Sequence, residues 1–429
     1  MSERAGYAEF RTGWPIVLAA FLGIGLGLSP LPFYTAGVFA PHLAAQFGWK
    51  IGDIFTSLLI TTLMVVWAGP LAGVLAVRFG VRRVALISTA LFGFAFMLPA
   101  LSNGSLMLFY ACWAVIAIVG AGTLPITWTR GVNDRFDARK GLALGLSLMG
   151  TGLFGIVCKP YLAWVIGAFG WRAGYVALGL LPLLIALPAG FFLFRDIDAS
   201  DDDSTAAPVT GMTLAETLRD WRFWLIAAAI VPISFSLAGP VPNLENILKN
   251  SGMTPGRMLE LTPLVGLTAL LGRLVGGWLL DRFWAPAVGF VILGAPALSC
   301  FILSSAALSF GQAAAAILLI GFALGVEYDL IAYLVARYFG LKSYTAIYGI
   351  LYVCFALGSG TAPLVFGRDF DAHGNYHLAL LFSAGALVAA AAALLALGRY
   401  RFASSDSDAA ESPAIRPSVT AAHSPIAGR

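Results

Sequence analysis

Charged residues inside long apolar stretches of the sequence could do chemistry, and the candidates are Arg273, Glu327, Asp329 and Lys159. Arg273 stands eight residues before Asp281, so a continuous helix would place it about 12 Å from its polar end. Burying an unpaired guanidinium is costly, and such residues usually face a cavity that holds an anionic partner. A guanidinium grips a carboxylate through two parallel hydrogen bonds, which lysine cannot do. Arg273 is therefore predicted to bind a carboxylate, either on a ligand or as an internal salt bridge to Glu327 or Asp329.

Glu327 and Asp329 stand two residues apart, so on a helix they point to different faces. A carboxyl group inside a membrane suits a proton carrier, and a structural ion pair is the alternative role. Lys159, which precedes Pro160, has three open roles. It holds a second anionic group, titrates during transport, or extends along a kinked helix toward the membrane surface.

The composition is that of a membrane protein. Of 429 residues, 26 are Lys or Arg and 22 are Asp or Glu, whereas 59% are hydrophobic. A soluble chain carries roughly a quarter charged residues, so a soluble enzyme is excluded. The four cysteines are far apart and no two histidines have metal-ligand spacing, so no disulfide, metal or other cofactor is predicted. Basic residues at span ends follow from topology, and nucleic-acid binding is not predicted.

Apolar runs between charged or turn-rich breaks predict an all-α membrane protein with twelve transmembrane helices in two pseudo-symmetric six-helix bundles. The predicted spans are 14–40, 53–77, 83–102, 106–129, 141–169, 171–194, 223–248, 257–280, 285–308, 312–339, 343–366 and 378–400. The chain then divides into a first bundle (1–194), a polar cytoplasmic linker (195–222), a second bundle (223–402) and a disordered cytoplasmic tail (403–429). Lys and Arg are concentrated in the loops on the side of the N-terminus, which predicts that both termini are cytoplasmic.

The two halves repeat each other. Gly73, Val77 and Arg78, after the second span, correspond to Gly277, Asp281 and Arg282, after the eighth. An internal duplication of six helices is typical of secondary transporters. Arg273 falls where the first half has Gly69, so the arginine is an addition to the repeat. Pairs of glycines four residues apart, such as Gly272/Gly276 and Gly321/Gly325, predict close helix packing.

The sequence resembles the major facilitator superfamily up to about residue 400. The loop motif of that superfamily begins at Gly73 and includes Arg78 and Arg82, and its second copy ends in Asp281 and Arg282. The resemblance implies that these residues gate the transporter. Val77 replaces the usual acidic residue in the first copy, so a gating salt bridge is expected only in the second half, and Asp281→Asn is expected to shift the resting state more than Val77→Asp.

A narrower resemblance is to the monocarboxylate transporters and the bacterial oxalate:formate antiporter branch. The fragments that carry it, in chain order, are Gly13-Trp14, Gly37-Val38-Phe39, Phe47-Gly48-Trp49, Arg139 to Gly145, Gly170-Trp171-Arg172, Phe223-Trp224, Gly272-Arg273 and Glu327 to Tyr333. In these families the resembling arginine contacts the substrate carboxylate, which implies that role for Arg273.

The resemblance also sets expectations for neighbouring positions. Tyr34 stands where animal monocarboxylate transporters carry a lysine, and Ala269 where they carry an aspartate, so any coupling carboxyl must lie elsewhere. Phe355 aligns with the second cation of the oxalate:formate antiporter pattern. A phenyl ring cannot neutralise a second carboxylate, so a monocarboxylate is predicted, unless Lys159 supplies the second charge. Tyr352 is expected to line the cavity with Tyr34, or simply to pack.

The sequence thus predicts a secondary active transporter in the inner membrane, a monomer that moves a small organic monocarboxylate by alternating access. Moving an anion inward against a negative-inside potential costs about 2.3 kcal/mol per 100 mV, and a co-transported proton cancels that charge. Proton symport is therefore favoured. The alternatives are an organic anion exchanger, an exporter of a larger carboxylated compound, and a membrane sensor derived from a transporter. A membrane-embedded enzyme is not predicted, because the spans carry no acidic or histidine pair with catalytic spacing.

Overall fold

The computed structural model describes residues 3–133, 135–136, 140–194, 211–340 and 342–402. All regular secondary structure in these residues is helical. Residues 195–210 of the predicted linker and the whole predicted tail (403–429) lie outside the described residues. The helices of the first half are Glu3–Gly25, Pro30–Phe47, Ile51–Phe79, Val81–Met97, Leu98–Leu101, Leu106–Gly120, Ala121–Thr123, Pro125–Asn133, Lys140–Leu148, Gly150–Leu181, Pro182–Ala186 and Leu187–Leu193. Those that follow are Leu214–Arg219, Trp221–Ala238, Pro240–Asn250, Pro255–Leu261, Leu264–Arg282, Ala285–Gly294, Pro296–Leu303, Phe310–Phe339, Tyr344–His373, His377–Leu394 and Leu395–Leu397.

Eleven segments of the described chain are long and apolar enough to cross a membrane. They are Phe10–Phe47, Ile51–Ala76, Val81–Leu101, Leu106–Asn133, Leu142–Leu193, Trp221–Ala238, Pro255–Leu280, Ala285–Leu303, Phe310–Phe339, Ala346–His373 and His377–Leu397. Leu142–Leu193 has 52 residues, about 78 Å of helix, whereas a hydrocarbon core is about 30 Å thick. The backbone of Gly170 is left-handed (φ 82°) and divides this segment into the fifth and sixth spans. The chain therefore has the twelve predicted spans.

The first and seventh spans are each interrupted before a proline. The first is built from Glu3–Gly25 and Pro30–Phe47, and the seventh from Trp221–Ala238 and Pro240–Asn250. Proline suits the first turn of a helix because its missing N–H would have no intrahelical acceptor there. The second segment of the seventh span ends at Asn250, two residues beyond the predicted end, and it carries Asn243 and Glu245 within the helical bundle.

Each half buries its own apolar core. One large cluster is formed by the spans of the second half and takes in Tyr34 from the first. Two further clusters are formed by the spans of the first half. Phe370, at the end of the eleventh span, packs against a cluster of each half, so the halves are in direct apolar contact at one end.

Six connections between consecutive spans lie at one end of the bundle, which we call the far end. Four of them contain residues 48–50, 102–105, 251–254 and 374–376. The opposite end, which carries Glu3 and Arg401, is called the termini end. At the far end and at mid-depth the halves touch along three helix pairs, the first with the seventh, the second with the eleventh, and the fifth with the eighth.

Glycines show how closely the halves approach. A Cβ atom added to Gly37 would lie 1.9 Å from the carbonyl oxygen of Pro242, and one added to Gly367 would lie 2.8 Å from Cα of Gly52. Toward the termini end, Cβ atoms added to Gly145 and Gly349 would meet no atom within 4 Å. The three helix pairs thus close the cleft at the far end, and no comparable contact between described helices of the two halves closes the termini end, so the cleft is open there.

Candidate functional site

The eighth and tenth spans lie in backbone contact beside the cleft. A Cβ atom added to Gly272 would lie 2.1 Å from the carbonyl oxygen of Phe322, and one added to Gly325 would lie 2.1 Å from that of Ala269. A side chain at either glycine would force the helices apart, as at the small-residue contacts of other membrane helices. The packing predicted for these glycine pairs is confirmed, and it fixes the register in which the charged residues of the two spans meet.

Arg273 lies at the interface between the two halves. Its Nε atom is 3.8 Å from Oδ2 of Asp329, and its Nη1 donates a 3.2 Å hydrogen bond to the carbonyl oxygen of Leu148 in the fifth span. The side chain is 14% exposed. A distance of 3.8 Å is longer than a hydrogen bond, so Asp329 holds the guanidinium loosely. Most of its donors remain available to a carboxylate that enters the cleft.

Glu327 and Asp329 lie in different surroundings, as their spacing on the tenth span predicts. The side chain of Asp329 is 31% exposed beside Arg273. Glu327 is only 2% exposed, and neither of its carboxyl oxygens has a hydrogen-bond partner among the described residues. Burying an ionised carboxylate without a partner is very costly, and Arg273 offsets that cost for Asp329 but not for Glu327. The two carboxyl groups therefore differ in their partners and in access to the cleft.

Five aromatic rings line one side of the site. Tyr344, Tyr348 and Tyr352 follow each other along the eleventh span, with neighbouring ring centroids 5.9 and 6.5 Å apart. Phe355 continues the row at 5.8 Å from Tyr352, and Tyr328 of the tenth span packs 4.4 Å from Phe355. We call these five residues the aromatic wall. It offers an apolar surface flanked by phenolic hydroxyl groups next to the residues that carry charge.

Tyr34 closes the site from the first span. It is 8% exposed, and its ring packs against Gly155 of the fifth span, where an added Cβ atom would lie 2.9 Å from it. Tyr34, Tyr328 and Tyr348 all lie near Arg273. The predicted residues Arg273, Asp329, Tyr34, Tyr352 and Phe355 are thus brought to one region of the cleft.

Lys159 is buried in an ion pair between the two halves. Its Nζ atom donates a 2.7 Å hydrogen bond to Oε1 of Glu245 in the seventh span, and the two side chains are 2% and 19% exposed. Gly37 makes room for this pair, because a Cβ atom there would lie 2.7 Å from Oε2 of Glu245. The alternative in which Lys159 extends to the membrane surface is wrong, because an acidic partner lies within reach at the same depth.

Glu245 is the site residue that the sequence interpretation missed. It lies inside the predicted seventh span, between Asn243 and Ile247, and an acidic residue within a span is itself a signal of function or pairing. This signal marks Glu245 as a candidate, but the sequence alone does not pair it with Lys159, 86 positions away.

The predicted gating residues occupy the termini end. Arg78 and Arg282 are exposed, and their guanidinium groups lie over the rings of Phe79 and Trp278 at 5.4 and 5.8 Å. Nη2 of Arg82 donates a 2.6 Å hydrogen bond to the carbonyl oxygen of Phe191 in the sixth span. The side chains of Val77 and Asp281 lie outside the described part of the structure, so the predicted asymmetry between them stays a prediction.

Within the described residues, no cluster of three or more His, Cys, Asp or Glu side chains is arranged to hold a metal ion. All four cysteines have free thiols. Cys112, Cys158 and Cys300 are buried, and Cys354 is half-buried. The charged and aromatic residues of the cleft are therefore the groups to which function is assigned.

The chain matches the Major Facilitator Superfamily family model over residues 22–363 and belongs to that superfamily. It is a membrane transporter and not an enzyme, as its sequence predicts. Monocarboxylate transporter 13 of Bos taurus is 25% identical over 296 residues, which are 68% of this chain and 67% of the relative. The uncharacterized MFS-type transporter YhjX of Escherichia coli (strain K12) is 27% identical over 343 residues, 76% of this chain and 81% of the relative.

A solved structure confirms the fold. The crystal structure of a bacterial homologue of the human lysosomal transporter Spinster, in an inward-facing and occupied conformation, superposes with a TM-score of 0.68 at 15% identity. The match covers 92% of this chain and 97% of the other. The predicted all-helical major facilitator fold is therefore correct.

Proposed function

We propose that this transporter moves a small organic monocarboxylate across the membrane by alternating access, with the substrate carboxylate bound by Arg273. The observation that carries the proposal is the loosely held guanidinium at the interface of the halves, 3.8 Å from Asp329. Two parallel hydrogen bonds from a guanidinium to a carboxylate are stronger than this contact. The similarity to monocarboxylate transporters supports the same substrate class.

Proton symport follows from the competition for Arg273. A substrate carboxylate that binds the guanidinium displaces Asp329, which then stands in the cleft without its cation. Like charges at this separation disfavour each other, so Asp329 takes up a proton as the substrate binds. Glu327, two residues away and without a hydrogen-bond partner, is the second candidate for the proton. The loaded site then carries the same net charge as the empty one.

The surroundings of Arg273 favour one carboxylate over two. Phe355 and Tyr328 present an apolar surface next to the site, with ring centroids 4.4 Å apart. Lys159, also buried between the halves, is neutralised by Glu245 at 2.7 Å. A second carboxylate would be desolvated, and among the described residues beside Arg273 no free cation receives it. The aromatic wall instead accommodates the aliphatic or aromatic tail of a monoacid.

The concentration of basic residues at the termini end favours an orientation in the inner membrane with both termini in the cytoplasm. The open end of the cleft then faces the cytoplasm, and the closed far end faces outward.

Uptake into proteoliposomes tests the function. With an inward proton gradient, labelled lactate or an aromatic monoacid is expected to accumulate, and Arg273→Ala is expected to abolish saturable uptake. Arg257→Ala, in an exposed segment at the far end, is the matched control. Counterflow that needs an internal anion and ignores the pH gradient would establish the exchanger instead. Saturable binding without flux in either direction would point to a sensor.

A further inference from the structure

The second span begins at the interface between the halves without a cap of its own. Lys50 precedes Ile51 at the N-terminus of this 29-residue helix and makes no capping hydrogen bond through its side chain. The first backbone N–H groups of a helix have no intrahelical acceptor and are usually satisfied by a nearby side chain. Here the acceptor comes from the other half of the protein.

Asp371, near the end of the eleventh span, supplies that acceptor. Its Oδ1 atom accepts a 2.9 Å hydrogen bond from the N–H of Ile51, and its Oδ2 atom accepts a 2.7 Å hydrogen bond from the N–H of Gly52. A carboxylate at a helix N-terminus is also favoured by the helix dipole. The backbones meet here as well, because a Cβ atom on Gly367 would lie 2.8 Å from Cα of Gly52.

Asp369, two residues earlier, does the same task within its own half. Its Oδ2 atom accepts a 2.9 Å hydrogen bond from the N–H of Ala379 in the first turn of the twelfth span, and its Oδ1 atom lies 2.9 Å from Nδ1 of His373. The eleventh span thus ends in two carboxylates that satisfy two different helices. Only one of these contacts crosses between the halves.

We propose that Asp371 and the N-terminus of the second span form a latch that holds the far end of the transporter closed. The inference rests on the alternating access of the proposed function, because the far end must open once in each cycle. Opening separates Ile51 and Gly52 from Asp371 and returns three polar groups to water. The contact between Lys159 and Glu245 lies deeper along the same interface, so the latch is the outer of two polar layers.

Distance measurements in the absence of substrate test the latch. Spin labels at Asn103 and Thr254, exposed residues of the far end in opposite halves, report its opening in nanodiscs. Asp371→Ala is expected to raise the population with a long label separation about three- to tenfold, the range expected for losing a helix cap. Asp371→Asn, which keeps one acceptor, is expected to give an intermediate shift.

Asp369→Ala is the matched control. It also removes a capping carboxylate of the eleventh span, but that carboxylate caps the twelfth span, in the same half. It is expected to lower thermal stability without changing the label separation. An unchanged distribution in Asp371→Ala, or an equal shift in Asp369→Ala, would overturn the proposal. The readout needs no substrate, so a shift in Asp371→Ala together with failed monocarboxylate uptake would refute the proposed substrate and leave the latch standing.

Discussion

Nζ of Lys159 and Oε1 of Glu245 lie 2.7 Å apart although the two residues belong to opposite halves of the transporter. Oε2 of Glu245 is buried and has no hydrogen-bond partner in the part of the chain that the structure describes. The pair must separate when the far end opens, unless the fifth and seventh spans move together. Variants that remove one charge or both therefore measure how much the pair stabilises the closed state.

We expect Lys159→Met or Glu245→Gln alone to destabilise the protein by about 3–5 kcal/mol or to trap it in a different facing, because each leaves one buried polar group unmatched. The double variant Lys159→Met/Glu245→Met removes both charges and is expected to recover most of the loss. Thermal unfolding in detergent measures the effect, with Lys50→Met, an exposed lysine of the far end, as the control. Equal stability of the single and double variants would contradict the pairing.

Arg273→Lys keeps the positive charge but loses the planar fork that binds a carboxylate through two hydrogen bonds. We expect the affinity for a monocarboxylate to fall by about tenfold to a hundredfold, since hydrogen bonds between charged groups contribute about 1.5–3 kcal/mol. Titration calorimetry on purified protein gives the dissociation constant, and Arg257→Lys controls for the loss of an arginine elsewhere. Unchanged affinity would mean that Arg273 acts only as a point charge.

The amide variants Asp329→Asn and Glu327→Gln separate coupling from transport. A carboxamide cannot carry the proton, so the coupling residue's variant is expected to exchange substrate across the membrane yet fail to accumulate it under an imposed pH gradient. We expect Asp329→Asn to show this behaviour more strongly, because Asp329 lies next to Arg273 whereas Glu327 has no partner. Full pH-driven accumulation in both variants would remove these carboxyl groups from the coupling mechanism.

Competition assays test the role assigned to Phe355. Lactate-like or aromatic monoacids are expected to displace a bound ligand far better than oxalate, malonate or succinate, because no unpaired cation in the described chain lies by the aromatic wall to receive a second carboxylate. Phe355→Lys is expected to improve dicarboxylate binding at the expense of aromatic monoacids. If dicarboxylates compete better in the unmodified protein, Lys159 is the second cation, and Lys159→Ala is then expected to abolish their preference.

The twelve spans were predictable because apolar length and charged breaks depend only on local sequence. The sequence also identified Arg273 as a departure from the repeat, since Gly69 holds the equivalent position in the first half. The partner of Lys159 was not, because Glu245 is distant in sequence and lies near the end of its span, where an acidic residue resembles a loop residue. The cap that Asp371 gives to Ile51 joins residues about 320 positions apart, and only the packing of the two halves brings them together.

The connection between the fifth and sixth spans is a single left-handed glycine, Gly170. The chain therefore has no spare loop residues there to absorb an insertion or a deletion. Inserting one residue there would turn the sixth span by about 100° about its axis. Trp171 and Tyr175, both buried, would leave the core, and the hydrogen bond from Nε1 of Trp171 to Oε1 of Gln46 would be lost. A scan of one-residue insertions and deletions along the chain should therefore find this junction among the least tolerant, although it lies at an end of the bundle where membrane proteins usually accept changes of length.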